Sequence, residues 1–128
     1  MILVDTCIII NYLRKPTPEI KNIFKKNEIA TCGVVMAEIL RGATSEKQFN
    51  QLKSAMDCFE YIPFEQGDWD NLSRLLYTLK TSGIAVPFQD VMIALLAMKT
   101  GYELWTTDQH FSILQSVFPG LKLFTPIK

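Results

Sequence analysis

The sequence predicts an α/β protein in which a parallel sheet is covered by helices and joined by right-handed crossovers. Three observations carry that expectation. Short apolar runs of strand length alternate along the chain with amphipathic stretches of helical period. Glycine and proline stand at the junctions, at Pro18, Gly42, Gly83, Pro87 and Gly101, where they start or stop helices. Two of the apolar runs end on an aspartate, as expected where buried parallel strands emerge at their carboxyl ends.

Ile2-Leu3-Val4 forms the first such run and delivers Asp5, with helical turns expected directly after it. Thr17 and Pro18 then suit the N-cap and first position of a helix. Its inner side holds Ile20, Ile23 and Phe24, and its solvated side Lys21, Lys25 and Lys26. Ile29-Ala30-Thr31 is a second short strand, and Val34 to Arg41 is a helix that Gly42 stops. Phe49, Leu52 and Met56 recur at three- and four-residue spacing, which marks an amphipathic helix from Ser45 to Met56. Phe59 to Ile62 alternates briefly ahead of Pro63, as an edge strand does. Trp69, Leu72, Leu76 and Leu79 outline one face of a helix from Glu65 to Ser82, the clearest in the sequence. Pro87 opens another helix that Gly101 closes. Val91 to Met98 is apolar nearly throughout, so this helix is expected to be buried on most sides. Leu104 to Thr107 reads as a strand delivering Asp108, and Leu121 to Phe124 as a last short strand. Parallel strands need such helical crossovers, and these are right-handed.

A length of 128 residues suits one domain spanning 1–128. Hydrophobic residues make up 48% and charged residues 20%, the balance of an ordered globular chain. No run approaches the ~18 consecutive apolar residues of a membrane helix. Met1 to Asp5 has no basic segment of the kind that opens a signal or transit peptide. A cytoplasmic protein without a membrane partner is expected. Cys7, Cys32 and Cys58 are an odd set without C-x-x-C spacing, which favours reduced thiols over a disulfide framework or thiolate zinc site. His110 is the only histidine, so multi-histidine zinc sites are excluded by count, and a serine or cysteine triad would have to use that one ring.

Four acids, Asp5, Glu38, Asp90 and Asp108, sit inside or beside apolar stretches, where a carboxylate is costly unless something compensates it. Asp5 and Asp108 follow strand-like runs and reach the sheet edge at which ligands bind in open parallel sheets. Asp90, in the first turn of its helix, arrives at the same edge. Glu38 lies in the second half of its helix, and only its neighbours Ala37, Ile39 and Leu40 suggest that it points inward. Capping and helix-dipole roles account for Asp5, Asp90 and Asp108 one at a time. They leave Glu38 unexplained and crowd carboxylates on one edge, an arrangement that normally requires cations. Oxygen-only donors point to Mg2+ or Mn2+ rather than zinc. One or two such ions suit phosphodiester cleavage. Thr6 and Thr106 carry hydroxyls able to support a ligating carboxylate or, equally, to serve in caps and turns. Net charge is zero, with 13 basic and 13 acidic residues, which counts only weakly against a nucleic-acid substrate.

Ile2-Leu-Val-Asp-Thr6, Ala37-Glu-Ile-Leu-Arg-Gly42, Gln89-Asp-Val-Met-Ile-Ala94 and Leu104-Trp-Thr-Thr-Asp-Gln-His-Phe111 resemble, in order and spacing, the motifs of PIN-domain ribonucleases. The chain's length and bare start are similar to those of the VapC toxins of bacterial toxin–antitoxin pairs. The resemblance implies a three-layer α/β/α fold with a central, mainly parallel sheet of about five strands. It implies that Asp5, Glu38, Asp90 and Asp108 are catalytic metal ligands, supported by Thr6 and Thr106. It further implies Mg2+- or Mn2+-dependent cleavage of RNA such as transfer or ribosomal RNA, a homodimer, and silencing by a small antitoxin protein. Three features depart from the family's usual pattern. Cys7 stands where Asn or Ser is usual, Cys32 and Val35 replace hydroxyl residues, and His110 stands where many relatives carry a further acid.

For RNA contacts the candidates are Arg14, Lys15, Arg41, Lys99 and the Lys21, Lys25, Lys26 group. Arg14 and Arg41 lie in segments leading away from the proposed ligands and are preferred. Phe88 suits either stacking on an unpaired base or a helix-end core contact. Two other functions fit parts of the pattern: a catalytically weak PIN-like module that binds RNA or protein, motivated by residues 7, 32 and 110, and an aspartate-nucleophile hydrolase using Asp5. The motifs of the latter are otherwise missing.

Overall fold

The computed structural model describes residues 1–126. Its sheet is built around β1 (Ile2–Val4), all of whose residues are buried. Apolar residues on both faces suit a central strand covered on two sides. β2 (Ile29–Cys32) flanks it on one side and β4 (Glu103–Trp105) on the other, while β3 (Glu60–Ile62) lies beyond β2, giving the order β3-β2-β1-β4 with every pairing parallel. The strand expected at Leu121 to Phe124 is reduced to one parallel bridge between Leu123 and Leu104. Two hydrogen bonds of 2.8 Å hold it, from Leu104 N–H to the Lys122 carbonyl and from Phe124 N–H to the Leu104 carbonyl. The segment is hemmed in by Pro119-Gly120 and Pro126, and proline has no N–H with which to extend a ladder.

Helices α1 (Thr6–Arg14) and α2 (Pro18–Lys26) connect β1 to β2, and α3 (Gly33–Arg41) and α4 (Glu46–Met56) connect β2 to β3. The pair α5 (Gln66–Thr81) and α6 (Phe88–Thr100) leads to β4, and α7 (His110–Val117) follows it. The cap expected at Thr17 is present, its Oγ1 accepting from Ile20 N–H at 3.2 Å, and Ser45 caps α4 rather than starting it, its Oγ accepting from Gln48 N–H at 3.0 Å. Gly101 ends α6 at φ 76°, a left-handed turn in which a β-carbon would cost about 1 kcal/mol.

Leu3, Val4, Ile9, Val35, Leu104 and Phe111 are wholly buried between the layers, and each such side chain contributes about 2 kcal/mol by leaving water. As the apolar run from Val91 predicts, α6 buries Val91 and every residue from Ile93 to Ala97. An aromatic series stitches the layers together. Tyr12 stacks on Phe24 at 4.0 Å between ring centres, Phe24 meets Trp105 at 5.7 Å, and Trp105 meets Phe124 at 5.3 Å.

Trp69 departs from the inner face expected of it. It is 50% exposed and packs edge-on against Phe64 at 4.7 Å. The inward position in that turn is taken by buried Asp68, one helical turn before buried Leu72. Asp68 Oδ2 accepts from Glu65 N–H at 2.8 Å and from Lys99 Nζ at 2.9 Å, and Lys99 also reaches Glu65 Oε1 at 2.8 Å. Lys99, a candidate for RNA contact, is therefore engaged in clamping α5 to α6. Cys7, Cys32 and Cys58 are free thiols, as expected. Among the described residues no helix is long and apolar enough to cross a membrane.

Candidate active site

The strand order sets the carboxyl ends of β1 and β4 side by side, with the connection from β1 running one way to β2 and β4 lying on the other side. Such a reversal point leaves a crevice for a ligand. Asp5 leaves β1 there, and its N–H donates to the Trp105 carbonyl at 2.9 Å. Asp5 is only 7% exposed, and its carboxylate is well supplied with donors. Oδ1 accepts from Thr6 N–H at 2.8 Å, capping α1, and Oδ2 accepts from the Thr106 hydroxyl at 2.7 Å. The Cys7 thiol lies 3.7 Å from the same oxygen. The capping role and the cleft position thus coexist in one side chain.

Thr106 also accepts from Asp108 N–H at 3.0 Å. Asp108 is exposed, and its Oδ1 accepts from His110 N–H at 2.9 Å. Asp90, half-buried in the first turn of α6, faces the same point: His110 Nδ1 lies 2.8 Å from Asp90 Oδ2 and 3.2 Å from Asp108 Oδ1. Asp5, Thr6, Glu38, Asp90 and Asp108, with Cys7, Ile10 and Thr107, line one open cleft of about 430 Å³. All four acids singled out in the sequence are thus brought together.

Glu38 corrects the reasoning that suggested an inward side chain, although it does line the cleft. It is exposed, as is Ala37, while Ile39 is buried. Val35 and Ile39 mark the core face of α3, and Glu38 reaches the cleft from the open side. Of the two roles open to Phe88, the helix-end core contact is excluded, because the side chain is 48% exposed in the first turn of α6.

The electrostatics follow from the crowding. Burial pushes the Asp90 carboxyl above its ordinary range; the His110 hydrogen bond opposes this, and Asp108 and Asp5 add to it. Partial loss of water on the cleft side likewise raises Glu38, followed by repulsion from Asp5, with Thr6 and Arg41 favouring the charged form. Thr6 Oγ1 is buried without a full hydrogen bond. Cys32 occupies the N-cap of α3, where burial raises its thiol. Arg14 lines a smaller adjoining depression of about 180 Å³ together with Glu38, Ile39 and Leu52.

Thr107 is a further residue of the site, beyond those expected from the sequence. Its hydroxyl lies 3.3 Å from Cys7 Sγ and it lines the cleft. Its position between a strand and Asp108 was the available signal. The position of His110 between two acids has no local signal, because the contact joins α6 to the start of α7 across a gap of 20 residues.

The PIN-domain family model matches residues 2–115. The chain belongs to the PIN-domain family. Ribonuclease VapC1 of Methanocaldococcus jannaschii is 28% identical to this PIN chain over 124 residues, covering 96% of it and 86% of that relative. Among solved structures, VapBC2 from Rickettsia felis bound to a DNA fragment from its promoter matches with a TM-score of 0.81 at 23% identity, covering 97% of this chain and 98% of that one. VapBC-1 from nontypeable Haemophilus influenzae matches with a TM-score of 0.83 at 18% identity over the whole of both chains. The α/β architecture is therefore that of the PIN domain, with four strands and a bridge in place of about five strands.

Proposed function

We propose that this chain is a divalent-metal-dependent endoribonuclease, a single PIN domain acting in the cytoplasm as the toxin of a toxin–antitoxin pair. The convergence of Asp5, Glu38, Asp90 and Asp108 on one cleft carries the reading. The kinship with a protein called a ribonuclease supports RNA as the substrate class, with transfer or ribosomal RNA as the favoured targets. The solved relatives named VapBC support an antitoxin partner, and a homodimer follows from the family resemblance.

The donor set fits Mg2+ or Mn2+: the carboxylates of Asp5, Glu38, Asp90 and Asp108 crowd one open cleft, and those of Asp90 and Glu38 are raised first by burial and then by repulsion from neighbouring acids. Asp5, Glu38, Asp90 and Asp108 would hold the cation, which supplies a water of lowered pKa and charge stabilisation for an in-line displacement at phosphorus. Thr106 fixes the rotamer of Asp5 and the backbone of Asp108, so two elements present their carboxylates in one register. Arg14 and Arg41 flank the Glu38 side and are suited to RNA phosphates. Exposed Phe88, two residues before Asp90, is available for stacking on an unpaired base.

A second reading, a catalytically weak module binding RNA or protein, is favoured by Cys7 and Cys32, which offer only weak hydrogen bonds where hydroxyl or amide groups are usual in the family. The deciding experiment incubates antitoxin-free protein with total RNA and Mg2+ or Mn2+, with EDTA and Asp5→Asn as controls. Cleavage that EDTA and the variant both abolish is expected. Undiminished cleavage by Asp5→Asn would overturn the proposed site, and absence of both cleavage and metal binding would favour the binding module.

A further inference from the structure

His110 is the only histidine in the chain, and its side chain, 40% exposed, stands between two carboxylates at the mouth of the cleft. Its Nδ1 sits between two anionic oxygens, 2.8 Å from Asp90 Oδ2 and 3.2 Å from Asp108 Oδ1. These three donor atoms, one each from α6, the turn after β4 and the start of α7, lie within 4.8 Å of one another. The ring is positioned by its own backbone, since His110 N–H is bonded to the same Asp108 oxygen, and by Phe111, the next residue, which is wholly buried. A proton on Nδ1 satisfies this meeting point. A cation satisfies it as well, with the ring proton moved to Nε2.

We propose that His110 is itself a metal ligand, through Nδ1, alongside Asp90 and Asp108, and that this nitrogen donor tilts the site toward Mn2+ over Mg2+. The inference rests on the nuclease reading, which asks only for oxygen donors. Mg2+ is a hard ion that takes oxygen donors and retains its waters. An imidazole nitrogen favours first-row transition ions, so a mixed nitrogen and oxygen set widens the gap between the two metals. A purely structural His110, bridging Asp90 and Asp108 by hydrogen bonds, leaves that gap unchanged.

Electron spin-echo envelope modulation on the Mn2+-loaded protein separates these roles. The protein is produced without a polyhistidine tag, so an imidazole nitrogen coordinated to Mn2+ can come only from His110. The expected spectrum carries the 14N modulation of a directly bound imidazole, and His110→Asp loses it. Calorimetric titrations with each ion should show the ratio of Mn2+ to Mg2+ affinity falling about tenfold in His110→Asp, within the usual range for groups tuning a metal site. Mn2+ bound by the unaltered protein without 14N modulation overturns this inference and leaves the nuclease reading standing. If neither ion binds the unaltered protein, the metal site itself falls, and His110 as a ligand falls with it. The spectrum of the unaltered protein decides the matter even if the variant folds poorly.

Discussion

The hydroxyl of Thr106 donates to Asp5 Oδ2 at 2.7 Å while accepting from Asp108 N–H at 3.0 Å, so one side chain sets the position of two acids. Thr106→Val keeps the shape and removes both bonds. Loss of a part-buried hydrogen bond costs about 1 kcal/mol in stability, readable by urea denaturation. Cleavage should fall further, roughly 10- to 100-fold, as is usual when the support of a metal-ligating group is removed. A variant that loses stability but cuts RNA at the normal rate would show that Thr106 braces the fold and leaves the chemistry alone.

Burial, with crowding added to it, makes the metal-free protein sensitive to pH in an unusual direction. Asp90 and Glu38 are raised above their ordinary values of 3.8 and 4.5, so the folded state holds protons that the unfolded state has already released. Stability therefore falls as pH rises from the ordinary values through the raised ones, and the deficit persists at neutral pH. In EDTA, Asp90→Asn should be more stable than the unaltered protein at neutral pH, and the gain should vanish below the ordinary carboxyl range. Saturating Mn2+ should raise the melting temperature of the unaltered protein more than that of Asp90→Asn. An Asp90→Asn protein less stable in EDTA at neutral pH would show that burial and neighbouring acids do not destabilise the Asp90 carboxylate.

Most of this arrangement is legible in the sequence, because Ile2-Leu3-Val4 and Leu104-Trp105 are apolar runs that force Asp5 and Asp108 to the same strand ends, and Pro87 fixes where Asp90 starts its helix. Glu38 was harder to read, since the core face of α3 runs through Val35 and Ile39, and the glutamate enters the cleft from the solvent side. The misplacement of Trp69 has a different origin. Its spacing to Leu72 fits an apolar face, but Asp68 occupies the inward position because Lys99, 31 residues away, neutralises it. The role of His110 is likewise a long-range contact that no local pattern contains.

The Asp68 clamp gives a prediction of the opposite sign. The Glu65 backbone N–H and Lys99 hold the Asp68 carboxyl below its ordinary value of 3.8, so its contribution is complete above that value and is lost as pH falls through the depressed one. Asp68→Asn should cost about 1 kcal/mol at neutral pH, the partial exposure of Lys99 limiting the loss. Denaturation at acid pH should bring the two proteins together. Cleavage should be unaffected, since neither Asp68 nor Lys99 lines the cleft.

Phosphate contacts can be counted through salt. Arg14 and Arg41 are exposed and flank Glu38, one lining the adjoining depression and the other close enough to favour the glutamate's charge. RNA binding is best measured in the Asp5→Asn background, where cleavage does not interfere. Each arginine replaced by Gln should weaken binding and flatten the plot of log affinity against log salt by about 0.7 for a single-strand phosphate contact. Lys25→Gln, on the outer side of α2, should leave both quantities unchanged. Equal slopes for the arginine variants and the Asp5→Asn parent would move the RNA path off this side of the cleft, whereas a change with Lys25→Gln alone would move it onto α2.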